Sequence, residues 1–516
     1  MSDKRTYNIL FHTHTVSGIV ISVALYVIFF AGSFSFFRDE IINWERNHTV
    51  ERTEDLQLDF DTALDSLNAT TSLKGRDIEL SKHYVEQNIG ISISASKDSL
   101  TSKDENVGKY LVLDTKTYSQ STYTNSYTLG EFLYRLHFFA QLYYPVGYYL
   151  AGFVAFFFLF AIITGIIIHW NKIVPNFYTF RPLAKLKTLW TDAHTALGVI
   201  GLPFQFVYAV TGAFFMIKAL LIAPNVLLLY KGDDTKFYKD LGYAHPEIEY
   251  TNTPLTTDFS INTYIENTKQ LWPDFNITHV HIFNYGDANM HVQTEGQLNY
   301  NNKFTSPGQA LYQVKTGTLI SKKDPYLKAS YLDGVKNVLY RLHYGDYAGF
   351  ALRVISFVLG IISCLVIISG VMIWLVARDK KTLPDKKRRF NETVVRIYLA
   401  ICLSMYPITA LSFIAVKLFE PVSQSFIYRF YFIGWLLFIV LYIVRRDNGF
   451  TNRNTLLLGS VFGFLIPIAN GVTTGNWFWL TFKNEQFQLC FIDVFWLTLA
   501  SITLFAYIKI KHRKKV

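Results

Sequence analysis

Apolar residues fall in eight long runs, near 16–37, 146–169, 195–219, 349–376, 395–416, 426–444, 455–474 and 489–508. Each approaches the roughly 20 residues that a helix needs to cross a bilayer. Two polar stretches, 38–130 and 221–335, interrupt the series. Inside them short runs alternate: ISISAS (91–96), YLVLDTKT (110–117), ITHVHIF (277–283), MHVQT (290–294) and ALYQVKTGTLI (310–320). Alternation predicts half-buried strands, and INTYIENTKQLW (261–272) predicts a helix beside them. The expected fold is a polytopic α-helical membrane protein. It has a duplicated four-helix transmembrane core, two small α+β domains and four additional C-terminal transmembrane helices.

The expected order is 1–37 (N-terminal segment and first span), 38–130 (first α+β domain), 131–170 (second span), 171–190 (loop) and 191–220 (third span). It continues with 221–335 (second α+β domain), 336–377 (fourth span), 378–394 (basic loop), 395–508 (four further spans) and 509–516 (basic tail). The chain is 51% hydrophobic and 17% charged, with a net charge of +10. The cations cluster in alternate connections: Lys4 and Arg5; Lys172, Arg181, Lys185 and Lys187; RDKKTLPDKKRRF; Arg445, Arg446 and Arg453; and the tail KIKHRKK. With eight spans all five segments share one side, which the positive-inside rule makes cytoplasmic, with both termini there. The charge therefore reads as topology, and no nucleic-acid partner is expected. The first run is too long for a signal peptide and lacks a convincing cleavage site, so it is read as a retained span. Cys364, Cys402 and Cys490 form no C-x-x-C or C-x-x-C-H motif, which excludes covalent haem attachment at such a motif.

A repeat surrounds the polar insertions. HTVSGIV opens the first span at His14, and HTALGVI opens the third at His194. Eighteen residues beyond each lies a glycine, Gly32 and Gly212, ahead of phenylalanine-rich sequence. YRLH precedes the second span (134–137) and the fourth (340–343), and the runs that follow reach ITG at Gly165 and ISG at Gly370. Both copies run in the same direction, which implies a pseudo-twofold axis along the membrane normal.

His14 and His194 then sit at one face, and His137 and His343 at the other. Helices packed as a bundle would bring each pair to one flat cofactor. Haem iron accepts two axial imidazoles, and a site with no open position suits electron transfer. The expected cofactor is haem, two per chain, with the four histidines as axial ligands to the iron. Gly32 and Gly212 lie roughly 27 Å along their helices from the first pair. They are expected to pack on the outer cofactor, and Gly165 and Gly370 on the inner one. Glycines in such positions are more often helix-packing contacts than cofactor neighbours. Arg135 and Arg341 are expected either to pair with propionates or to anchor at the interface. His169 aligns with Trp374 in the other copy and is an alternative inner ligand. A lone interfacial histidine more often anchors than ligates; four at repeat-related positions shift that balance. His279 and His281 share a strand face and read as surface residues.

These residues resemble the PepSY-associated transmembrane family, described as iron-regulated membrane proteins and ferric-siderophore reductases. The resemblance covers about 8–378 and is carried by H14TVSG, the two YRLH-to-TG/SG spans, IIHWNKIVPNFYTFRP, D192AH194TALG and the strand-like YLVLDTKT and ALYQVKTGTLI. It implies a bacterial inner membrane, periplasmic PepSY domains on a four-helix core and b-type haems held by histidines. It also implies an oxidoreductase of the ferric-chelate reductase type, with a ferric chelate or siderophore as periplasmic partner.

Two features depart from that pattern. The four spans beyond residue 390 carry no copy of the repeat. No G-x-G-x-x-G follows a strand to open a helix, so the electron donor is expected to be a separate cytoplasmic flavoprotein or quinol. A rival reading is a non-redox transporter or ligand sensor that binds through the PepSY domains. Near-absence of charge within the first four spans counts against ion-coupled transport.

Overall fold

The computed structural model describes residues 4–51, 55–101, 106–178, 181, 184–243, 246–299, 303–379, 382–419 and 421–513. Lys380, Lys381, Glu420, parts of the stretch after the second span and the end of the basic tail lie outside them. In chain order the helices begin with α1 (Lys4–Ser35), α2 (Arg38–Arg46), α3 (Phe60–Thr70), α4 (Leu129–Leu136), α5 (Val146–His169), α6 (Ile173–Phe177), α7 (Leu186–Leu229) and α8 (Asp234–Asp240). They continue with α9 (Ile261–Leu271), α10 (Tyr331–Tyr344), α11 (Gly349–Arg378), α12 (Asp385–Leu418), α13 (Gln424–Arg445), α14 (Asn448–Thr474), α15 (Phe478–Lys483) and α16 (Phe487–Arg513). The strands are β1 (Ile78–Ser81), β2 (Asn88–Ile93), β3 (Lys109–Asp114), β4 (Gln120–Thr122), β5 (Phe275–Phe283), β6 (His291–Leu298), β7 (Pro307–Gln313) and β8 (Thr318–Lys323).

Eight helices among the described residues are long and apolar enough to cross a membrane: α1, α5, α7, α11, α12, α13, α14 and α16. The molecule is a polytopic membrane protein. Leu436, Leu437, Val440 and Val444 on α13, and Phe153, Phe156, Phe157 and Phe160 on α5, are exposed and face lipid.

The chain divides into two compact units. The first contains 1–47, 128–225 and 341–516. Here α1 packs against both α5 and α11, while α7 meets α5 where Gly152 leaves room for Met216 and Ile217. A Cβ at Gly152 would lie 2.4 Å from Ile217 Cγ2, so only glycine permits that approach. The last four spans form their own cluster, with α12 and α14 packed together and α13 and α16 alongside.

The second unit contains 48–127 and 226–340. Its eight strands form one antiparallel sheet in the order β4-β3-β2-β1-β5-β6-β7-β8. The sequence reading treats the two insertions separately; in the fold β1 pairs with β5, Ile78 opposite Ile282 and Leu80 opposite Val280, and closes them into one sheet. Each half is a helix followed by a four-stranded meander. Phe60, Leu64 and Leu67 of α3 and Ile261 and Tyr264 of α9 pack with Ile78, Leu80, Ile91, Val280, Ile282 and Val292 in one core. Asp61 ties the two helices: it accepts from Ile261 N at 2.7 Å and Asn262 Nδ2 at 2.9 Å.

Candidate functional site: two histidine pairs in the helical unit

The repeat-related histidines meet as pairs. The rings of His14 (α1) and His194 (α7) have centres 6.4 Å apart, with planes crossed at 76°. The rings of His137, which caps the end of α4, and His343 on α10 also have centres 6.4 Å apart, with planes at 32°. Two imidazoles on opposite sides of one metal ion, with bonds of about 2.0 Å and roughly 1 Å more to each ring centre, have centres about 6 Å apart. Both pairs match that spacing.

The hydrogen bonds select the tautomer of each ring. His14 Nδ1 donates to Ala161 O at 2.9 Å. His194 Nδ1 donates to Val366 O at 3.0 Å, with Ser369 Oγ at 3.1 Å. These acceptors stand in equivalent places in the two copies, one helical turn before Gly165 and Gly370. His343 Nδ1 lies 2.8 Å from Thr211 Oγ1, whose own hydroxyl proton goes to Val207 O at 2.7 Å. The threonine oxygen must therefore accept. His137 Nδ1 donates to Tyr134 O. With Nδ1 protonated in all four, each Nε2 carries a lone pair, and no described residue hydrogen-bonds it. An Nδ1 held by a carbonyl or hydroxyl is the usual partner of a metal-bound Nε2, because it fixes the ring and raises its basicity. Burial pushes His137 down to about 4, and burial together with the neighbouring His137 pushes His343 down to about 3. Both are neutral near pH 7, as a ligand must be.

The glycines make space for these rings. A Cβ on Gly165 would lie 3.1 Å from His14 Cε1, and one on Gly370 would lie 3.3 Å from His194 Cε1. Gly32 faces His137, with 3.7 Å to its Cβ. Gly212 differs: its nearest neighbour is Ala155, at 3.4 Å. Expected as a cofactor contact, each of Gly165, Gly370 and Gly32 lies against a histidine ring. Their place on the helix was legible; the contact was not.

Arg135 pairs with Glu131 at 2.8 Å, and Arg341 with Asp346 at 2.7 Å. Each thus has a carboxylate beside it, near the His137–His343 pair in sequence. His169 ends α5 and lies within electrostatic reach of His194. Tyr208 escaped the sequence reading: its hydroxyl donates to His343 O at 2.8 Å, and its ring lies 5.0 Å from the imidazole. Thr211 and Ser369 escaped it too, although Thr164 and Ser369 are visible as the hydroxyl residue before each repeat glycine.

In the sheet unit, His279 packs against His83 with ring centres 4.9 Å apart, and burial, with His83 adding to it, pushes His279 down to about 4. His281 stacks on Phe283 at 3.9 Å. No group of three or more His, Cys, Asp or Glu suited to a metal ion occurs among the described residues. A haem held by two histidines needs no such group.

The chain thus combines eight spans, two histidine pairs and a sheet built from the intervening insertions. Comparison with curated proteins finds no match. A family model for the PepSY-associated TM region matches residues 11–377, from just before His14 to the end of α11, and the chain belongs to that family.

Proposed function

We propose that the protein carries haem b at two bis-histidine sites and passes electrons across the bacterial inner membrane. The acceptor is Fe(III) in a siderophore-type chelate on the periplasmic side. The observation that supports this most strongly is the doubled geometry: two pairs at 6.4 Å, every Nδ1 engaged and every Nε2 available. Haem, when bound, supplies one-electron carriage at a potential set by ligands, hydrogen bonds and burial. The chain supplies the ligands, the second hydrogen bond that orients each of them, and a spacing along α1 of about 27 Å between the two levels.

By the positive-inside rule the basic loops support a cytoplasmic His14–His194 pair and a periplasmic His137–His343 pair. Electrons enter at the first from a separate flavoprotein or quinol and leave at the second. One electron converts chelated Fe(III) to Fe(II), which a hard-donor chelator holds far less well. The test is stopped-flow mixing of dithionite-reduced protein, freed of excess reductant, with a ferric hydroxamate chelate in the presence of a coloured Fe(II) trap. Reoxidation with stoichiometric Fe(II) release supports the acceptor. Reduced protein that stays reduced rules out that chelate class.

A further inference from the structure

The four spans after residue 377 lie outside the family match. We infer that they are a brace: they hold α4, and through it His137, in position against His343. This rests on the reading of the histidine pairs and assigns a role to the part of the chain that reading leaves idle.

α4 has only eight residues and ends on His137. So short a helix is not stable alone; neighbours must fix it. One side of it meets α13. Phe132 is fully buried, with its ring centre 4.7 Å from that of Tyr431 and 5.7 Å from those of Tyr428 and Phe432. The other side meets α2. A Cβ on Gly130 would lie 2.7 Å from Ile42 Cγ1 and 2.8 Å from Arg38 O, so the helices touch backbone to backbone. Glu45 Oε2 accepts from Leu129 N at 2.7 Å, at the start of α4. Arg38 donates twice to Glu131 Oε2, at 2.9 and 2.7 Å.

α2 is fixed in turn by the remaining extra spans. Trp44 is fully buried, and its Nε1 donates to Asp493 Oδ1 of α16 at 3.0 Å. Asn470 of α14 donates to Asp493 Oδ2 at 2.9 Å. Lys417 of α12 donates to Trp44 O and sits 4.3 Å from the centre of its ring. Trp44, Asn470, Asp493 and Lys417 are all more than nine-tenths buried. In a membrane interior a buried acid, lysine and amide persist only when they satisfy one another. Thus α13 touches α4, α12 and α16 touch α2, and α14 acts on α2 through Asp493. Among the described residues, the hydrogen bonds to His343 come from Tyr208 and Thr211 of α7, within the matched region. The brace is assigned to His137, which α4 carries. Trp44, Asp493 and Phe132 are positioning residues for it.

The test uses full-length Asp493→Asn and Phe132→Ala in detergent, beside the parent. Hydrogen–deuterium exchange is followed over α4 and α10, and the ferric low-spin signals by electron paramagnetic resonance. The brace predicts exchange at 129–136 faster by roughly tenfold or more, the scale of losing a buried hydrogen bond to a charged group, while 331–344 is unchanged. The signal that His137→Ala removes should shift or broaden, and the signal that His14→Ala removes should stay. Unchanged exchange in α4 in both variants overturns the brace, as does equal acceleration in α4 and α10. If the parent protein holds no haem, the haem reading fails, and the exchange data alone still decide whether the extra spans support α4.

Discussion

Thr211 Oγ1 lies 2.8 Å from His343 Nδ1 and has already given its own proton to Val207 O. A single hydroxyl thus fixes which nitrogen of His343 is free. Removing it should leave the fold intact and loosen one ligand. Thr211→Val should weaken cofactor retention at the His137–His343 pair by roughly 10-fold, within the range such partners contribute to metal sites. Haem loss to apomyoglobin measures it, and equal loss from both pairs would contradict the assignment.

The two pairs differ in the angle between their rings, 76° for His14–His194 and 32° for His137–His343. Crossed and near-parallel imidazoles split the ferric d orbitals differently. The oxidised protein should therefore show two distinct low-spin resonances. His14→Ala or His194→Ala should abolish one, and His137→Ala or His343→Ala the other.

Gly165 and Gly212 occupy comparable small-residue sites but face different neighbours. Gly165→Val should displace His14 and reduce the haem count by about one per chain, because even a Cβ would sit 3.1 Å from the ring. Gly212→Ala should have little effect, since its Cβ would make an ordinary 3.4 Å contact with Ala155. Pyridine haemochrome on the two variants separates these outcomes.

Glu45 lies outside the spans, and burial raises its carboxyl to about 7, against the opposing pull of Leu129 N, Arg46 and Lys417. The folded state therefore holds a proton that the unfolded chain releases near 4.5. Its contribution to stability grows as pH falls from about 7 towards 4.5 and is lost as pH rises through that window. The difference in melting temperature between the parent and Glu45→Gln should change across this range in that direction. A constant difference would show that Glu45 is ionised throughout.

Much of this organisation is legible in the chain. Span number follows from length and apolarity, which the bilayer imposes directly. The meeting of His14 and His194 is legible in their matching motifs, HTVSGIV and HTALGVI, at the start of the first and third spans. The joined sheet is not legible: β1 and β5 are separated by two spans, and nothing in IELS announces its partner. ALYQVKTGTLI alternates like one strand, yet β7 and β8 turn back through Gly317, which takes a positive φ of 67°. Helix α3 is legible in principle: Phe60, Ala63, Leu64 and Leu67 fall at i, i+3, i+4 and i+7 behind a cap, Asp59 accepting from Thr62 N, but the pattern spans only about two turns. The roles of Tyr208 and Thr211 depend on a contact between α7 and α10 that no local pattern encodes.

The most direct test of the account is the optical spectrum of the purified full-length protein, oxidised and dithionite-reduced, with haem counted as pyridine haemochrome. Low-spin b-type bands at about two haems per chain are expected, falling to about one when any of His14, His194, His137 or His343 becomes alanine. A colourless protein from cells supplied with ample haem would contradict it, and the four histidines would then be packing residues of a non-redox membrane protein.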